Sequence, residues 1–178
     1  MHLILSGSLH PTSRSRILAT AVQSRLHAAQ REVELFDLSQ RTLPACDGAT
    51  AYGDPEVIAL SQLIRDADSV FIASPVYNYD VNAAIKNAVE LTGKAWTSKV
   101  VSLLLAAGGQ GSYMSGMGLA NSLMLDFRCL IVPRFVYATG EGFEGNELAD
   151  EDIAARVSRL VEESLQISDA MASVSPTK

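Results

Sequence analysis

Cysteine is scarce in this chain. Its two cysteines, Cys46 and Cys129, have no metal-binding or redox spacing and read as reduced thiols of a cytoplasmic protein. Basic side chains are in deficit, 14 against 20 acidic ones, for a formal net charge of -6. That balance argues against nucleic acid or an anionic membrane as the main partner. No segment approaches the roughly 20 apolar residues of a membrane span. The N-terminus enters an apolar run at once, without a basic region, so no signal peptide is expected. Repeats and low-complexity tracts are missing. Nothing resembles an activated nucleophile with a base beside it, so no catalytic side chain and no metal ligand is assigned.

What is present is apolar and patterned. Of the 178 residues, 48% are hydrophobic, enough for one globular domain over residues 1–170, with a frayed tail at 171–178. The stretch Leu3-Ile4-Leu5-Ser6-Gly7-Ser8-Leu9-His10-Pro11-Thr12-Ser13-Arg14-Ser15-Arg16-Ile17-Leu18 organises the rest. An apolar run breaks at a glycine between serines, and apolar spacing resumes with a helical period at Ile17. A strand turning into a helix this way leaves free backbone N–H groups at the helix start, where an anion is favoured. Ser6, Ser8, Thr12, Ser13 and Ser15 add hydroxyls, and Arg14 and Arg16 add charge. The pattern is neither a Walker A loop nor G-x-G-x-x-G, and it lacks the cysteine of a phosphatase loop. Hydroxyl-rich and weakly charged, it suits the phosphate of a flavin mononucleotide. An ordinary strand–loop–helix connection with an N-cap serine is the alternative.

Along the chain, strands are predicted over 2–6, 32–38, 69–74, 99–107 and 129–137. Helices are predicted over 13–28, from Asp54-Pro55-Glu56 onward with Val57, Leu60, Ile64 and Ala67 inward, after Asp80 with Ala84, Ile85, Ala88 and Val89 inward, over 112–127, and from about 150. The third strand is expected to stop at Pro75, with 76–80 a loop, and the loop at 39–53 is long enough to be functional. Five strands alternating with five helices predict a parallel sheet in the order 2-1-3-4-5 with helices on both faces. In that order three segments meet at the carboxyl ends of the strands: Ser6 to Ser15, Pro75 to Asp80, and Gly108 to Gly111. They offer a phosphate site, the aromatic rings of Tyr77 and Tyr79 with Asn78, and unobstructed backbone N–H groups. Such a set suits a flat heteroaromatic ring with polar edges. Each segment also has a plain reading, as a strand end or a turn.

Three motifs carry a resemblance. They are Gly7-Ser8-x-His10-x-x-Ser13-Arg14-Ser15, then Ser74-Pro75-Val76-Tyr77-Asn78 followed by Ile85-Lys86-Asn87-Ala88, then Gly108-Gly109. Over about residues 1–140 the chain resembles the NAD(P)H-dependent FMN reductases, flavodoxin-like α/β three-layer sandwiches. The resemblance implies an oxidoreductase that passes hydride from NADPH or NADH to FMN and on to a small-molecule acceptor: a flavin, quinone, azo compound or metal oxyanion. It implies that Ser8, His10, Ser13, Arg14 and Ser15 surround the FMN phosphate. Pro75, Val76, Tyr77 and Asn78 would line the ring and ribityl chain, and Gly108, Gly109, Gln110 and Gly111 would face the pyrimidine edge. Family members usually carry Arg where this chain has His10, with Arg14 placed to compensate. It further implies a homodimer or homotetramer through the third and fourth helices, which suits the methionine-rich helix at 112–127. A flavodoxin-like electron carrier, without its own NAD(P)H turnover, is the alternative.

Overall fold

Unbroken apolar runs make strands covered on both faces. Every residue of β1 (His2–Ser6) and of β5 (Val100–Ala106) is buried, and β3 (Ser69–Tyr77) is buried through Pro75. The structure, a computed structural model, describes residues 1–174; the expected tail over 175–178 lies outside the described residues. The outer strand β2 (Val33–Asp37) alternates instead. Val33 and Leu35 pack toward one face of the sheet, and Phe36 toward the other.

The sheet runs β2-β1-β3-β5, all parallel, and its far edge is shared by β6 (Leu130–Ile131) and β7 (Val136–Ala138). Counting only the parallel strands, with those two pieces as one edge strand, gives the expected 2-1-3-4-5 order, the flavodoxin arrangement. The predicted continuous strand over 129–137 is interrupted at Val132-Pro133-Arg134-Phe135. Val100 pairs with Leu130 and Leu104 with Val136, so the edge strand carries two extra residues over that span. Proline is tolerated there because an edge has no further neighbour to bond.

A second difference lies in β3. It continues through Pro75 to Tyr77 and turns back as β4 (Asp80–Val81), an antiparallel hairpin. The ladder with β1 ends at Ala73, so Pro75 stands where the sheet has already lost one neighbour. Asn78 and Tyr79 form the turn, both with positive φ (51° and 65°), as in the two-residue turns that match strand twist.

Helices α1 (Arg14–Ala28) and α5 (Glu151–Val174) cover one face of the sheet. Helices α2 (Pro55–Asp66), α3 (Ala83–Thr92) and α4 (Met117–Phe127) cover the other. The helix start read at Asp54-Pro55-Glu56 is as expected: the Asp54 carboxylate accepts the Glu56 N–H at 2.8 Å. Helix α4 begins five residues later than predicted, after a short 3₁₀ turn at Gln110–Ser112. Helix α5 runs through Val174, past the point where fraying was expected. The glycine-rich segment before it folds into a small hairpin, β8 (Phe143–Glu144) with β9 (Glu147–Leu148). Among the described residues, no helix is long and apolar enough to cross a membrane.

Candidate functional site at the strand ends

Where β1 ends, the chain must pass very close to α3. A Cβ built on Gly7 would stand 2.4 Å from Ile85 Cγ1, so only glycine fits. Asn82 locks this junction. Its side-chain nitrogen donates to the Gly7 carbonyl at 2.6 Å, and its backbone N–H donates to Ser74 Oγ at 3.2 Å. Ile85 is therefore the packing partner of Gly7. Asn87 ties down the 39–53 loop, accepting from Cys46 N at 2.8 Å and donating to the Pro44 carbonyl at 2.9 Å. Lys86 pairs with Asp80 at 3.0 Å, bridging α3 to the hairpin.

Beside this junction a cavity of about 340 Å³ opens at the carboxyl ends of β1, β3 and β5. Ser8, His10, Thr12, Ser13, Arg14 and Ser15 line it from the first loop, Pro75, Val76 and Tyr77 from the hairpin, and Ala106, Ala107 and Gly108 from the end of β5. The three segments predicted to converge do so. Asn78, Gly109, Gln110 and Gly111 stand outside this lining, Asn78 in the hairpin turn and the others along the loop after β5. Thr12 is a lining residue that the serine pattern pointed to only in passing. Ala106 and Ala107 carried no signal beyond their place at a strand end.

The first loop is built around buried hydroxyls. Ser8, Ser13 and Ser15 are all nearly or fully inaccessible. Ser8 Oγ accepts the His10 N–H at 3.2 Å, and the Ser13 and Ser15 hydroxyls lie 2.8 Å apart. Ser13 is the N-cap of α1, yet its side chain makes no capping bond, and the first turn holds no acidic residue. The positive end of a 15-residue helix thus faces the cavity without an internal anion. His10 Nδ1 accepts the Thr12 N–H at 3.2 Å, so Nε2 is the ring nitrogen left for a ligand.

Among the described residues, Arg16 and Arg41 are committed to partners and Arg14 is not. Arg16 pairs with Asp37 at 2.7 Å and donates to the Pro11 carbonyl at 2.6 Å. Arg41 pairs with Glu56 at 2.5 Å and stacks over the Phe36 ring. Arg14 makes no hydrogen bond or ion pair among the described residues.

The loop after β5 has an unusual property. Gly108, Gly109 and Gly111 have no positive φ, and a Cβ on any of them would meet open space. Neither a left-handed backbone conformation nor internal packing calls for glycine there. What the small residues leave is approach to the backbone from outside. Tyr137, which the sequence pattern assigned only to a strand, fixes this loop by donating its hydroxyl to the Gly109 carbonyl. Its ring meets Tyr113 edge-on, with centroids 5.4 Å apart.

These features define a class: a doubly wound α/β protein with an acid-free helix start and open glycine backbone beside a cavity at its topological switch point. Residues 2–144 match the family model described as NADPH-dependent FMN reductase, and the chain belongs to that family. It is 26% identical to the NADPH azoreductase of Bacillus sp. (strain OY1-2), over 84% of this chain and 82% of that one. It is 31% identical to an NADPH:quinone oxidoreductase of Arabidopsis thaliana, over 74% of this chain and 70% of that one. Among solved structures, the flavoenzyme NAD(P)H:(acceptor) oxidoreductase FerB from Paracoccus denitrificans shares the fold. Its TM-score is 0.77 at 20% identity, over 95% of this chain and 97% of that one. Family membership makes the chain an NAD(P)H-dependent flavin oxidoreductase.

Proposed function

We propose that the cavity at the ends of β1, β3 and β5 holds FMN, and that the chain uses it to pass reducing equivalents from NADPH or NADH to a small acceptor. The acceptor class is a flavin, quinone, azo compound or metal oxyanion. The observation that carries this reading is the uncapped, acid-free start of α1 beside buried Ser13 and Ser15, sharing one cavity with Gly108, whose backbone is left open. The donor set fits a phosphate monoester. It combines hydroxyls, helix N–H groups and one uncommitted guanidinium, with no carboxylate among the residues lining the cavity.

In this reading Ser8, Ser13, Ser15, His10 Nε2 and Arg14 bind the phosphate. Pro75, Val76, Tyr77 and Asn78 flank the ribityl chain and ring, and Gly108 to Gly111 offer backbone donors to the ring edge. When bound, the flavin supplies the hydride-accepting centre. The protein supplies position and an apolar floor, and no acid–base pair is required of it. Tyr77 is 58% exposed at the mouth, where a second ring can stack after the first product leaves.

The proposal extends to assembly and place. Met117, Met124 and Leu125 face outward from α4, and a groove of about 910 Å³ runs between α3 and α4. Both support a homodimer, or a homotetramer built from it, through these helices. Free thiols support a reducing, cytoplasmic setting.

The test is an anaerobic mixture of protein, FMN and NADPH or NADH, followed at the visible flavin maximum. Protein-dependent bleaching that reverses on admitting air is expected. Bound flavin that stays oxidised with both nucleotides would overturn the reductase reading.

A further inference from the structure

Gly140 follows β7 in a loop whose glycines show no motif, yet its position relates to a single side chain. A Cβ built there would stand 2.9 Å from Arg14 Nη1, 3.1 Å from its Cζ and 3.2 Å from its Nη2. Three near-equal distances to one planar group mean that the guanidinium lies flat against the glycine backbone. The φ of Gly140 is not in the left-handed range, so conformation does not demand glycine. Room for Arg14 is what a side chain at this position would take away.

An exposed arginine without a partner samples many rotamers, and that freedom is lost on binding an anion. A shelf that already holds the guanidinium at the cavity mouth reduces this loss. We infer that Gly140 is a positioning residue that lays the Arg14 guanidinium where it meets the phosphate of the bound flavin nucleotide. The inference rests on the FMN reading. It also separates Arg14 from Arg16 and Arg41, whose charges are already satisfied within the chain. Arg14 lines the same cavity as the buried serines, so its phosphate is that of the flavin nucleotide rather than that of NADPH.

The experiment titrates FMN and riboflavin, which lacks the phosphate, by flavin fluorescence into wild type, G140A, R14Q and the double variant. The atoms in the way of the new methyl belong to the far end of a flexible side chain. G140A therefore folds with an unchanged melting temperature while Arg14 is displaced. The expected result is FMN affinity lower by about tenfold in G140A and about tenfold or more in R14Q, with riboflavin affinity unchanged in both. The double variant should lose no more than R14Q alone, because the glycine acts only through the arginine. Equal FMN affinity in G140A and wild type, equal loss for both flavins, or additive losses would each overturn the inference. So would R14Q changing only the preference between NADPH and NADH. A wild type that binds neither flavin removes the FMN reading and this inference together, whereas unchanged FMN binding in G140A removes this inference alone.

Discussion

Gly7, just past the end of β1, and His2, at its start, show how much single positions decide. The space beside Gly7 is filled by a fully buried Ile85, and neither backbone can retreat, since Asn82 bonds across the junction. Gly7→Ala is therefore expected to cost about 1–3 kcal/mol through overpacking. Ile85→Val in the same chain should restore part of it. Urea denaturation of the single and double variants checks this. His2 controls a pH dependence. Burial first, and then the N-terminal ammonium, holds its imidazole below the ordinary 6.5. The unfolded chain then takes up a proton that the folded chain refuses as the pH falls. Stability from this residue is complete above the unfolded value near 6.5 and is lost as the pH drops below it. The urea midpoint should decline from about pH 7.5 to about pH 5.5, less steeply in His2→Asn. An identical slope in the variant would assign the decline to other groups.

Among the elements, legibility followed burial. β1 and β5 declared themselves because both faces are covered, and the inward positions of α2 and α3 sit where the helical period put them. The misreadings fell where a local rule was right but the neighbours decided otherwise. Pro75 reads as the end of β3, yet the β1 ladder ends first, so the missing N–H is tolerable. The edge strand broke around Pro133 because an edge can accommodate extra residues that a central strand cannot. The candidate site was legible as three loops, since topology brings strand ends together. The packing of Arg14 on Gly140 joins residues far apart in sequence, and no spacing rule foretells it.

The β3–β4 hairpin carries the prediction for this scale. Tyr79 has a φ of 65°, a conformation that costs a bulky residue roughly 1–2 kcal/mol. The ring is 54% exposed, so packing returns little of that cost. Tyr79→Gly should raise stability by about 0.5–1 kcal/mol, the larger unfolded-state entropy of glycine taking back part of the relief. If Tyr79→Gly also weakens FMN binding, the strained turn serves the site and the strain is functional. If affinity is unchanged, the tyrosine is a turn residue only. Equilibrium unfolding and flavin titration of the same variant separate the two.

At the scale of the whole molecule, the two faces of the sheet differ in how completely they are closed. The α1 and α5 side is finished, with fully buried Leu18, Val22, Val157 and Leu160 between helices and sheet. On the opposite side α4 buries Leu119, Ala120 and Leu123 but leaves Met117 36%, Met124 42% and Leu125 66% exposed. Apolar side chains gathered on one helix face, beside a wide groove, are what a monomer avoids and an interface uses. A second copy is the simplest cover, because a face repeated by two-fold symmetry meets an equally apolar face. Light scattering behind gel filtration should then give a multiple of 19.0 kDa for the wild type. Met124→Lys with Leu125→Glu should bring it to 19.0 kDa, with unfolding little changed because both side chains point outward. A wild type that elutes as a monomer would remove the assembly reading. A double variant that keeps the wild-type mass would move the interface off α4.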